Sequence, residues 1–167
     1  SVRLYLMRHG EAEISSGLDA FRNLSHKGRE QTAAVVKTWL QRKPPILAAY
    51  RSPLTRASQT ADELMSQCPE LHFNVADWLL PTANPERVLL QLEKISRLQG
   101  FNGPSLTAEQ PAGVLLVGHN PVLSVLWTLL QGDSAGHPLI MGTSQLVCLD
   151  VFAPCHDGGA FVYTLEP

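Results

Sequence analysis

Two short runs, Leu4-Tyr5-Leu6-Met7 and Val114-Leu115-Leu116-Val117, are apolar at every position and too brief to be helices. A strand with apolar side chains on both faces must be covered on both, which calls for a sheet with helices above and below. Such runs restrict the chain to a layered α/β domain. Both also stop in a similar way, the first at Arg8-His9-Gly10-Glu11 and the second at Gly118-His119-Asn120. Ligands of open α/β sheets gather at the carboxyl ends of strands, and Arg-His suits an anion: a bidentate cation beside a titratable nitrogen. Gly10 is expected to let the chain turn and a ligand approach the backbone.

Between these runs, helix and strand patterns alternate. Ser25 is placed as N-cap of a helix with Thr32, Val35, Val36, Trp39 and Leu40 on one face, ended by Pro44-Pro45. Residues 46–50 read as a second strand, followed by Ser52 as cap and Pro53 at the first position of a helix burying Ala57, Thr60, Ala61, Leu64 and Met65. Residues 71–75 read as a weaker strand toward a sheet edge. Asn84-Pro85 repeats the cap-plus-proline start for Val88, Leu89, Leu92, Ile95 and Leu98, and Asn120-Pro121 does so for Val122, Val125, Leu126 and Leu129. Residues 146–152 and 160–165 form strands joined by a turn that contains Cys155-His156-Asp157. Residues 12–24, 76–83, 100–113 and 132–144 are read as loops. The expected fold is a three-layer α/β/α sandwich with a mostly parallel central sheet and an antiparallel C-terminal hairpin, in one domain spanning 1–167.

A length of 167 residues, 44% of them hydrophobic, supports one core and not two. The formal net charge of -2 gives no general attraction for nucleic acid or for anionic membrane, so anion binding has to be local. No stretch reaches the roughly 18 apolar residues of a membrane span, and with a strand starting at residue 2 the expectation is a cytoplasmic protein without a leader. Cys68, Cys148 and Cys155 lack paired spacing, so neither a disulfide framework nor a metal site is expected, and no cofactor. A monomer is the default.

In a parallel sheet, Arg8-His9-Gly10, the segment Arg51-Ser52-Pro53-Leu54-Thr55-Arg56-Ala57 and Gly118-His119-Asn120 share one edge. A residue in the first turn of a helix leans back toward its N-terminus, so Arg56 projects at that edge, with Arg51 beside it as a surface residue. An Arg-His-Gly after an N-terminal strand, Ser-Pro-Leu-x-Arg-Ala-x-Gln-Thr at a helix start and a late Gly-His-Asn resemble the histidine phosphatase, or phosphoglycerate mutase-like, superfamily. Leu24-Ser25-x-x-Gly28 and Gly142-Thr143-Ser144, with the small size, are similar to its short SixA-type phosphohistidine phosphatase branch. That resemblance implies a phosphoglycerate mutase-like fold and an open site. It also implies a phosphohistidine-bearing protein as partner, such as a phosphotransfer domain, and inorganic phosphate as product.

The residue types agree with this chemistry. His9 is expected to attack phosphorus and carry the phosphoryl group, while Arg8 and Arg56 fork onto its oxygens and His119 donates a hydrogen bond to them, better when protonated. Larger members of the superfamily hold a carboxylic acid near mid-chain to protonate the leaving oxygen. Here that loop offers only Asp77, followed by Trp78 as a residue of the pocket rim, and Glu11 beside the nucleophile is the other candidate acid. The missing acid fits an imidazole leaving group, which needs less help than an alkoxide. Two alternatives stand beside this reading: a phosphatase of small phosphomonoesters, and a non-catalytic phosphate- or phosphoprotein-binding module.

Overall fold

The computed structural model describes residues 1–14, 17–98 and 112–167. Six strands, β1 (Val2–Arg8), β2 (Ile46–Arg51), β3 (Phe73–Val75), β4 (Gly113–Gly118), β5 (Leu146–Val151) and β6 (Gly159–Leu165), form one sheet in the order β3-β2-β4-β1-β5-β6. β4 runs parallel to β1 and β2, and β3 parallel to β2. β5 is antiparallel to β1, and β6 to β5. Helices α1 (His26–Leu40), α2 (Thr55–Gln67), α3 (Pro85–Leu98) and α4 (Val122–Gln131) complete the three layers.

Alternation along β1 sorts the core into its two halves. Leu4 and Leu6 pack with Val88, Leu92 and Ile95 of α3 and Val122 and Leu126 of α4. Tyr5 and Met7 face the other way, onto Val35, Val36 and Trp39 of α1 and Ala57 and Leu64 of α2. All six residues of β4 are buried, as a central strand covered on both faces demands. The short β3 lies at the sheet edge, where the alternating polar residues of its sequence placed it.

Two helix starts follow the sequence pattern: Ser25 Oγ accepts from the Gly28 N–H, and Asn84 Oδ1 from the Glu86 N–H. Two do not. The N-cap of α2 is Leu54, with Pro53 outside the helix, and Ser52 Oγ accepts from the Leu54 N–H at 3.2 Å to form the turn before it. In α4 the N-cap is Pro121, while the Asn120 side chain donates to the Met141 carbonyl. The buried stripe of α4 is Val122, Leu123, Leu126, Trp127 and Leu130, and the expected Val125 is 46% exposed. An i, i+1, i+4, i+5, i+8 stripe is offset from the one counted through Val125, which places that residue at the helix flank. Most of the expected 100–113 loop, the side chain of Leu98, and Ser15 and Ser16 lie outside the described residues; Gly113 opens β4.

The first turn of α1 rests directly on the chain leaving β1, since a Cβ at Gly28 would stand 2.1 Å from the Glu11 carbonyl oxygen. Gly28→Ala is therefore expected to destabilise the fold by about 1–3 kcal/mol through forced separation of α1 from that segment. Thermal denaturation measures this, and an unchanged melting temperature would contradict the close approach.

Candidate active site

Parallel pairing sets Arg8 opposite Gly118, and the His9 N–H donates to the Gly118 carbonyl at 2.9 Å. The residues that follow β1 and β4 therefore leave the sheet side by side, and the His9 and His119 rings lie 5.0 Å apart, centroid to centroid. β2 ends beside β4, with the Ser52 N–H on the Val117 carbonyl, and passes into α2, whose first turn carries Arg56. β5 starts beside the end of β1: the Arg8 N–H donates to the Gln145 carbonyl and the Ser144 N–H to the His9 carbonyl.

Hydrogen bonds fix the tautomers of both histidines. His9, only 6% exposed, has Nδ1 2.7 Å from the Gly10 carbonyl oxygen. A carbonyl only accepts, so Nδ1 carries the proton and Nε2 keeps its lone pair. Burial, with Arg56, Arg8 and Arg22, pushes the His9 pKa down to about 4 against the opposing Gly10 hydrogen bond. His119 is 1% exposed, with Nε2 2.7 Å from Ser52 Oγ. Among the described residues the buried Ser52 hydroxyl accepts from the Leu54 N–H and has no acceptor for its own proton other than His119 Nε2, so it donates there and the ring proton sits on Nδ1. Burial, then His9 and Arg56, lower the His119 pKa to about 3. The expectation of a protonated His119 beside a neutral His9 is thus corrected: both rings are neutral, one offering a lone pair and the other an N–H.

Arg8 Nη1 donates to the Met141 carbonyl at 3.1 Å, and burial and then the neighbouring Arg56 lower the Arg8 pKa. Arg56, 5% exposed, donates through Nη1 to the Asp19 carbonyl at 3.1 Å and through Nη2 to the Asp19 carboxylate at 3.3 Å. Glu63, also on α2, faces Arg29 at 3.8 Å. Three buried donors, Arg8 Nε, Arg56 Nε and His119 Nδ1, have no hydrogen-bond partner among the described residues. Unpaired donors on two neighbouring guanidinium groups are unfavourable unless an anion meets them, so the arrangement can accept an anion.

Other expected residues are engaged elsewhere. The Gly10 N–H donates to Thr60 Oγ1, so it is no anion donor, and a Cβ there would meet Thr32 Oγ1 at 2.6 Å. Its smallness serves the packing of the strand end under α1. Glu11 faces Lys27 at 3.9 Å and Asp77 pairs with exposed Arg87 at 3.3 Å. Trp78 is no rim residue: the short turn Asp77–Leu79 tucks it into the core against Tyr50, 5.3 Å between centroids. Sequence reasoning missed Asp19, whose signal was an acidic residue three positions before Arg22 in an aperiodic loop, and it gave Ser52 to the helix cap alone. A cleft of about 810 Å³ between α4 and the 132–140 connection, with Val125, Leu129 and Ile140 on its walls, contains none of His9, Arg8, Arg56 or His119 and is too apolar for an anion. Among the described residues, no three His, Cys, Asp or Glu side chains gather as a metal ion would require, and no helix is long and apolar enough to cross a membrane.

Residues 4–78 match the family model of the histidine phosphatase superfamily (branch 1), a span holding Arg8, His9 and Arg56. The phosphohistidine phosphatase SixA of Escherichia coli strain K12 is 28% identical over 128 residues, which cover 75% of this chain and 71% of that protein. The chain is thus similar to the histidine phosphatase superfamily over the segment that delivers Arg8, His9 and Arg56. Its fold is similar to a protein histidine phosphatase SixA solved with tungstate, at TM-score 0.78 and 25% identity over 99% of this chain and 97% of that one. It is also similar to a mycobacterial glucosyl-3-phosphoglycerate phosphatase, at TM-score 0.64 and 22% identity over 89% and 90%. Proteins of this fold thus carry names for more than one substrate.

The depressed histidine pKa values tie stability to pH. Between the ordinary value of 6.5 and about 4, both rings are protonated in the unfolded chain and neutral in the folded one. The unfolded state binds more protons in this window, so stability is expected to fall as pH drops through it, and His119→Gln should flatten part of the slope. Denaturant titrations at pH 7 and pH 5 measure this; equal stability at the two would contradict the neutral pair.

Proposed function

We propose that this chain is a metal-independent phosphatase that hydrolyses protein phosphohistidine through a phospho-His9 intermediate. One observation carries the reading: a buried histidine with its Nε2 lone pair free stands beside two arginines and a second histidine whose buried donors lack partners among the described residues. His9 Nε2 attacks phosphorus, the bond from phosphorus to the substrate imidazole breaks, and the released imidazole takes a proton. Water then attacks phospho-His9, giving inorganic phosphate and the free ring. Arg8, Arg56 and the His119 Nδ1–H bind the non-bridging oxygens, where two guanidinium groups supply the positive charge that transfer requires. The tungstate held by the SixA relative, itself a tetrahedral oxyanion, supports this use of the pocket.

The substrate reading rests on the named activity of the SixA relatives, with an acceptor histidine presented by a phosphotransfer-type protein. The protein is taken to act as a monomeric single domain in the cytoplasm. The glucosyl-3-phosphoglycerate phosphatase neighbour favours the second reading, turnover of small phosphomonoesters.

Rapid quenching after mixing with a labelled phosphohistidine protein should trap an acid-labile, alkali-stable label that is absent in His9→Ala. Arg56→Ala should lower kcat/KM by about 10²- to 10³-fold, the usual loss for one charge-matched donor. Faster turnover of sugar phosphates than of phosphohistidine would overturn the substrate assignment, and a reaction without label would overturn the covalent step.

A further inference from the structure

The loop over the sheet edge carries a carboxylate that the proposed mechanism has not used. Its base is pinned: Ala12 bridges Leu24, the Glu13 N–H donates to the Asn23 carbonyl, and Gln59 of α2 receives the Leu24 N–H and donates to the Asn23 side chain. Asp19 lies in the short turn Asp19–Phe21 of this loop, one helical turn from Gln59 by way of Arg56. Arginines hold both of its carboxylate oxygens, Arg56 on Oδ2 at 3.3 Å and Arg22 on Oδ1 at 2.9 Å. The side chain is nonetheless 67% exposed, whereas His9 and His119 lie at 6% and 1%. Asp19 therefore stands at the solvent side of the pocket, with His9 at its floor.

In-line displacement sends the leaving group away from the attacking nitrogen, here from the buried floor toward the mouth. We propose that Asp19 is the proton donor to that leaving group, and that it takes the proton of the attacking water in the second half of the reaction. This rests on the phosphoryl-transfer reading above and supplies the acid that Glu11 and Asp77 do not.

Charge exchange makes a carboxylate suited to this. With Arg56 beside it, and Arg22 after, Asp19 is held below the ordinary carboxylate pKa, and it acts in turn on His119 to oppose the lowering there. A phosphoryl dianion that takes the Arg56 guanidinium removes Asp19's main cation and sets negative oxygens beside the carboxylate. Both changes raise its proton affinity, so binding of substrate itself loads the acid. In the first half, Asp19 Oδ–H passes its proton to the departing nitrogen or oxygen as the bond to phosphorus breaks. In the second, the carboxylate accepts a proton from water as the new bond to phosphorus forms, and the acid is regenerated with nothing consumed but water.

Leaving-group dependence separates this from mere positioning of Arg56. Asp19→Asn keeps a side chain that can accept from Arg56 but cannot donate an acidic proton. It should slow turnover of a phosphohistidine protein and of phosphoserine by about 10²-fold or more, while 4-nitrophenyl phosphate, whose phenolate departs unaided, forms phospho-His9 at near the wild-type rate. Asp19→Glu should recover part of the loss on the first two. Equal slowing of phospho-His9 formation from all three substrates would show that Asp19 only positions Arg56, and no slowing of either half-reaction would show that it is idle; either result overturns the proposal. If the wild type turns over phosphoserine but not phosphohistidine, the substrate assignment fails while the selective loss in Asp19→Asn still upholds the acid. Melting temperature checks that the exposed substitution leaves the fold intact.

Discussion

The pairing of β1 with β4 is the constraint on which the site depends. A parallel register that sets Arg8 against Gly118 leaves no freedom in where the next residues go, and the His9 N–H bond to the Gly118 carbonyl extends the ladder by one step. A slip of one residue would turn Leu4 and Leu6 onto the face now filled by Trp39 and Leu64, so the core enforces the register that the site needs. β2 and β5 then complete the edge from either side, the first delivering Ser52 and Arg56, the second the Met141–Gln145 segment that receives Arg8 and the His9 carbonyl.

Within that frame, ordinary hydrogen bonds decide chemistry. The Gly10 carbonyl fixes one ring proton of His9, and Ser52 fixes the other histidine by an opposite logic, donating where Gly10 accepts. Low exposure and two arginines keep both rings neutral, so the pocket's positive charge is entirely guanidinium. A neutral nucleophile among fixed cations attracts an anion without being consumed by protonation.

Much of this was legible in sequence because each signal was local. Continuous apolar runs marked the central strands, and Ser25 and Asn84 marked helix starts by their capping oxygens. The edge location of Arg8, His9, Arg56 and His119 followed from strand ends alone. What escaped depended on contacts between distant segments. Ser52 satisfies every local rule for a cap, yet its hydroxyl serves a histidine 67 positions away. Trp78 sits in a loop by pattern but in the core by contact, and Asp19 gains meaning only when its loop folds over α2. Gly10 was rightly singled out for lacking a side chain, although the close neighbours are Thr32 and Gly28 of α1.

Proteins of similar fold carry names for more than one phosphorylated substrate, so the fold by itself does not choose among them. Nitrogen-15 NMR of the histidine rings reads the state of that pocket. His9 and His119 should both show the Nδ1–H tautomer at neutral pH, and His9 should stay neutral until the pH approaches about 4. An imidazolium signal from either ring near neutrality, or a proton on His9 Nε2, would contradict the arrangement on which the proposed chemistry depends.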